Sequence, residues 1–159
     1  TTAGTVTTAA QPNITSTGTL LNLTVAGPTT IQEAKEVFTP NATGATGTVN
    51  FDVLTSAIIL QTTDATANFT LNIRGNSTTT FDSFANTNES VSLTYVNKNG
   101  LTGYYANVIT IDGTTVTPFW STGIAPSLGT ISGYDVYNFN ILKTASNTYA
   151  VFAVIGSYL

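Results

Sequence analysis

The chain has no cysteine, no histidine and no methionine. Without cysteine no disulfide framework staples the fold, and cysteine usage is silent on redox compartment. Without cysteine and histidine, imidazole acid–base catalysis, thiol nucleophiles and His/Cys metal sites drop out together. Without methionine, the chain is expected to be processed at its N-terminus or to be a piece of something longer. Charge is also scarce, at 8% of residues against about 25% in ordinary globular domains. Lys35, Arg74, Lys98 and Lys143 are scattered, and eight acidic residues outnumber them, for a net charge of −4. Phosphate recognition needs clustered cations, so neither nucleic acid nor an anionic membrane surface is an expected partner. The longest apolar run, Tyr149 to Ile155, has seven residues, against the ~18 that span a bilayer, so membrane insertion is not expected. No GxSxG, phosphate-cradling glycine loop or aspartate-rich calcium loop occurs, and no cofactor is expected.

Threonine, asparagine, serine, glycine and alanine fill the place of charge. The spine of what is present is Gly47 to Gly75. Val49, Phe51 and Val53 alternate with Asn50 and Asp52, and Phe69, Leu71 and Ile73 alternate with Thr70, Asn72 and Arg74. A period of two marks strands with one buried face. Further strands are read at Ser90 to Val96, Tyr104 to Ile111, Thr114 to Thr117, Tyr134 to Leu142 and Tyr149 to Ile155. Asp112-Gly113 is a tight hairpin turn, and Asn97 to Gly100 and Asn147 are turns. Residues 76–88 and 118–133 are read as loops. The expected fold is all-β: an antiparallel β-sandwich of jelly-roll type over residues 40–159. The last strand, apolar on both faces, reads as central or as covered by a neighbouring subunit.

Residues 1–39 are set apart as an extended arm. Within residues 1–30 the only substantial apolar groups are Val6 and the five residues Ile14, Leu20, Leu21, Leu23 and Val25, too few to order the stretch alone. Either the segment is a disordered tail, or those five residues bury against other chains as a trimerisation seam. Ile31 to Phe38 lies between Pro28 and Pro40 and reads as a short helix or a strand, with strand preferred because all that follows is β. Residues 40–47 read as a hinge.

The remaining enzymatic option is a pair of carboxylates of the kind that cleave glycosides, drawn from Asp52, Asp64, Asp82, Glu89, Asp112 and Asp135. Each has a structural reading as turn, cap or strand-face residue, so no catalytic residue is assigned. Sequons stand at Asn13, Asn22, Asn41, Asn68, Asn76 and Asn88, most of which this Asn- and Thr-rich composition supplies by chance, so glycosylation stays open. Among aromatics, Tyr104, Tyr105 and Trp120 are the candidates for surface contact with sugar rings or protein. Trp120 is preferred because turn residues flank it. Asn68, Asn72 and Arg74 remain open as outward contact residues.

Ala9 to Leu20, AAQPNITSTGTL, followed by Leu23-Thr24-Val25, resembles a segment of bacteriophage tail-fibre and fibre-like virion proteins. Asn50 to Thr55, Asn68 to Gly75, and Ile111-Asp112-Gly113 with Val116-Thr117-Pro118 and Trp120 resemble a C-terminal domain of virion structural proteins of marine phages. Phe119 departs from that pattern, which expects a polar or basic residue before the tryptophan. The resemblance implies a non-enzymatic, homotrimeric component of the virion surface, extracellular and β-rich. Its arm would bind other tail or capsid proteins, as a tail fibre or a capsid decoration, and its head would face a host glycan or protein. Two other readings stand beside it: a carboxylate-based polysaccharide depolymerase, and a cell-surface filament subunit in which residues 14–25 complete a neighbour's sheet as a donated strand.

Overall fold

A computed structural model describes Val25 and residues 27–159. The chain divides into two units, Thr1–Ala34 and Lys35–Leu159. Of the first unit, the described residues carry neither helix nor strand, and each is exposed. Ile14, Leu20, Leu21 and Leu23 lie outside the described residues, and Val25 is 48% exposed. Residues 31–38 form neither the expected strand nor the alternative helix, and all are exposed. A stretch of eight residues bounded by Pro28 and Pro40 is too short to offset helix nucleation.

Lys35–Leu159 is built almost wholly of strands. They are β1 (Thr39–Asn41), β2 (Gly47–Asp52), β3 (Ile58–Gln61), β4 (Phe69–Arg74), β5 (Ser90–Lys98), β6 (Ala106–Ile111), β7 (Thr114–Val116), β8 (Phe119–Trp120), β9 (Tyr134–Ala145) and β10 (Thr148–Tyr158). A single helical turn, α1 (Phe81–Phe84), interrupts them in a region read as loop. Pro40 therefore lies in a strand rather than in a hinge. It is tolerated because β1 is an edge strand, where one backbone donor can be lost.

Two sheets enclose one core. The larger has the order β1-β3-β5-β9-β10-β8 and the smaller β2-β4-β6-β7. From β1 to β6 the chain alternates between sheets, so each turn of chain adds one strand to each. Consequently β1, β3 and β5 run parallel, and so do β2, β4 and β6. This corrects the antiparallel, jelly-roll expectation: among the described residues, antiparallel pairing is confined to β5–β9, β9–β10 and β6–β7. Alternation reports which face of a strand is buried, and it is the same for both strand directions.

Parallel pairing in register stacks like on like. Val49, Leu71 and Ile109 share one inward row, and Phe51, Ile73 and Ile111 the next. Phe51, Phe69, Leu71 and Ile73 are at most 1% exposed, as the alternation predicts. From the larger sheet Leu93, Tyr95, Tyr137, Phe139, Ile141, Val151 and Ala153 face them. Phe69 of β4 meets Tyr95 of β5 at 5.7 Å between ring centres, an aromatic contact that joins the two sheets across the core. Burial pushes the Tyr95 and Tyr137 phenols up, out of any physiological titration range.

The turns carry expected chemistry. Asp112 (φ 50°) and Gly113 (φ 79°) both sit at positive φ between β6 and β7, the signature of a two-residue hairpin turn matched to strand twist. Asn147 (φ 49°) turns β9 into β10. The Asp112 carboxylate also accepts from the backbone N–H groups of Phe81 (2.7 Å) and Asp82 (3.0 Å). With Thr80 accepting from the N–H of Ser83, this satisfies the free donors that start α1. Phe81 is then held with no exposure, edge-on to Tyr149 at 5.5 Å.

Candidate binding face

The carboxylates hold structure. Asp52 receives the Arg74 Nε–H at 2.6 Å across the β2–β4 register. Asp64 pairs with Lys98 at 3.1 Å. Glu89 accepts from the backbone and side chain of Asn86, and those bonds hold its carboxyl below the usual range. Asp135, fully buried, accepts from Thr130 N–H and Oγ1–H and from Asn99 Nδ2 (2.9 Å), which ties the loop after β8 to β9. Asp82 faces Lys143 at 2.7 Å, and Lys143 Nζ also donates to the carbonyls of Asp82 and Ala85. The Lys143 bond, then the Asn147 N–H, lower the Asp82 carboxyl to about 2. This lysine, 6% exposed, staples α1 to β9 and has its three protons placed on three acceptors.

The outward polar row of the smaller sheet is equally committed. Asn72 donates to Asn50 Oδ1 (2.8 Å) and accepts from Thr110 Oγ1 and Gly113 N–H, each at 2.8 Å. Register causes this, because Asn50, Asn72 and Thr110 lie opposite one another on parallel strands. Asn72 and Arg74, open at first as contact residues, are therefore spent on their neighbours. Asn68 accepts from Tyr105 N–H at 3.2 Å and stays exposed.

The larger sheet's outer face differs. Two adjacent rows cross it: Ser92, Asn140, Phe152 and Phe119 in one, Ile58, Thr94, Asn138 and Val154 in the other. They line a shallow groove of about 510 Å³. Phe119 is 64% exposed and Phe152 49%. Their rings stack at 5.5 Å with 29° between planes. Thr94 donates to Asn138 Oδ1 at 2.8 Å. Glu36 is the one ionisable side chain in the lining.

Of the aromatic candidates, Trp120 is half-buried, and not the outward ring its turn-rich flanks suggest. It lies opposite Ala153, on the inward side of β8, edge-on to Tyr137 (6.5 Å) and Phe139 (6.2 Å). Its neighbour Phe119 points the other way, as strand alternation requires. Tyr104 packs half-buried against the core, and Tyr105 is also half-buried, outside the groove. Phe119 was marked in the sequence by its departure from the resembling pattern. Phe152 was marked only by a final strand apolar on both faces. That strand is flanked by β9 and β8, with Phe152 and Val154 left outward. The chain matches no family model, no curated protein and no solved structure.

Proposed function

We propose that this chain is a non-enzymatic structural protein of a bacteriophage particle, a tail-fibre or capsid-decoration component that works as a homotrimer on the virion surface. One observation carries the reading: large apolar side chains stand out from a body with almost no charge. Val37 is 85% exposed, Leu101 91%, Ile124 75% and Leu128 68%. Single exposed apolar side chains are ordinary on a free protein, but this many on a body with 8% charged residues suits a subunit that covers them on assembly. The sequence resemblance supports the same reading, and so does the commitment of each candidate carboxylate to a structural partner. In this reading residues 1–39 form an extended arm whose sparse apolar groups bury around a threefold axis, and the β-sandwich carries contacts to neighbouring particle proteins or to the host surface.

Light scattering of the purified chain tests it. The expected mass at micromolar concentration is three times the 16.6 kDa of one chain. A monomer there would overturn the intrinsic trimer, and an open-ended series of masses would favour a head-to-tail filament instead.

A further inference from the structure

We propose that the outer face of the larger sheet, centred on Phe119 and Phe152, is a binding groove for a neutral oligosaccharide. The inference rests on the surface-attachment part of the function proposed above and names its ligand class.

Charge selects first. A groove whose lining contains one carboxylate and no cation offers nothing to phosphate, sulfate or an anionic lipid headgroup. Polar groups select next. The side chains of Asn140 and Ser92 are exposed and have no protein hydrogen-bond partner among the described residues, and that of Asn138 commits only its Oδ1. An apolar protein surface laid over these amides and hydroxyls would strip their water and return no hydrogen bonds. A sugar brings hydroxyls that both donate and accept, matching amide and hydroxyl on every side. Ring shape selects last. Phe119 and Phe152 turn one face towards each other and remain 64% and 49% exposed, leaving apolar aromatic surface for the C–H face of a pyranose. An extended peptide is disfavoured because the groove lies on the face of the sheet. Backbone donors there are already paired in the β5–β9–β10 ladders, so no strand can add. The volume, about 510 Å³, sits inside the roughly 300–1,000 Å³ of small-ligand sites and suits a short oligosaccharide.

The test uses the full chain and a panel of neutral oligosaccharides: gluco-, xylo-, manno- and galacto-oligomers and oligomers of N-acetylglucosamine. Binding is screened on an array and measured by calorimetry. At least one class is expected to bind. Phe119→Ala and Phe152→Ala should each weaken it by about tenfold, the loss of one aromatic contact. Asn140→Ala should weaken it by a smaller factor, with the melting temperature of all three variants unchanged. Failure of the whole panel to bind overturns the inference, as does equal affinity in Phe152→Ala or a preference for anionic glycans. Light scattering on the same samples separates the two proposals. A trimer that binds no neutral glycan sinks this inference alone, and a monomer that binds one sinks the trimer alone. A wild-type oligomer that dissociates on Phe152→Ala would make the face a protein interface and overturn the inference directly.

Discussion

On the outside of the smaller sheet, Asn72 lies between Asn50 and Thr110 and bonds to both. On the outside of the larger sheet, Asn140 lies between Ser92 and Phe152, and its side chain bonds to neither. Both are asparagines in the middle of a row, on strands whose other face is core. The difference lies in what register sets opposite them. Three parallel strands in step bring an amide, an amide and a hydroxyl into line, and hydrogen bonds close along the row. In the larger sheet the antiparallel hairpin sets an amide against a phenyl ring, which cannot answer it. One face is finished within the chain, and the other holds polar and aromatic groups in reserve.

The comparison can be broken or sharpened experimentally. The largest effect belongs to the core behind both faces. Leu71→Ala, at a site with no exposure, should cost about 2–5 kcal/mol by urea denaturation. A cost under about 0.5 kcal/mol would mean that Leu71, and with it Asn72 on the opposite face of the same strand, is misplaced by one residue. Asn72→Ala comes next. It strands the Gly113 N–H and leaves Asn50 and Thr110 without their shared partner, for about 1–3 kcal/mol. A neutral outcome would show that the ladder is decoration. Acid is a milder probe, directed at the staple beneath α1. Asp82 has a folded-state carboxyl at about 2 against an ordinary 3.8. A depressed carboxylate stabilises the fold above the higher value, and that contribution is lost as pH falls from about 4 towards 2. Thermal melts over that window should decline in the wild type and decline less in Asp82→Asn. Identical slopes would remove the staple from the account. The smallest effect is expected on the other face. Phe152→Ala should change stability by no more than about 0.5 kcal/mol. A loss comparable to that of Asn72→Ala would mean that both faces serve the fold alike.

Much of this was legible in the residues. The inward set Phe51, Phe69, Leu71 and Ile73 followed from alternation, as did Tyr137, Phe139 and Ile141, and Asp112-Gly113 declared its hairpin. Strand direction did not follow, because a parallel and an antiparallel strand bury the same alternate residues. Direction is decided by connections that cross the core, and no local pattern encodes those. β1 was missed for a related reason. Pro40 reads as a breaker until its place at a sheet edge is known. The choice of Trp120 over Phe119 erred through composition, since turn residues flank both. Only the pairing of β8 with β10 fixes which of two adjacent aromatics faces outward. At Asn72 and Arg74 the sequence announced outward polar groups correctly. That each would bond to the residue opposite it, Asn72 to Asn50 and Arg74 to Asp52, depended on a register of 22 residues between partners.

That interval has an implication for how such a chain changes length. Asn50 and Asp52 stand 22 residues before Asn72 and Arg74, and one circuit of the chain round the core separates them. Copying a whole circuit would lengthen the body by one storey, adding a strand to each sheet and keeping every inward and outward position in phase. Losing one would shorten it by the same step. Growth at this end is thus quantised, and the β9–β10 hairpin, which carries Asn138, Asn140, Phe152 and Val154 of the groove, lies at the other side of the larger sheet.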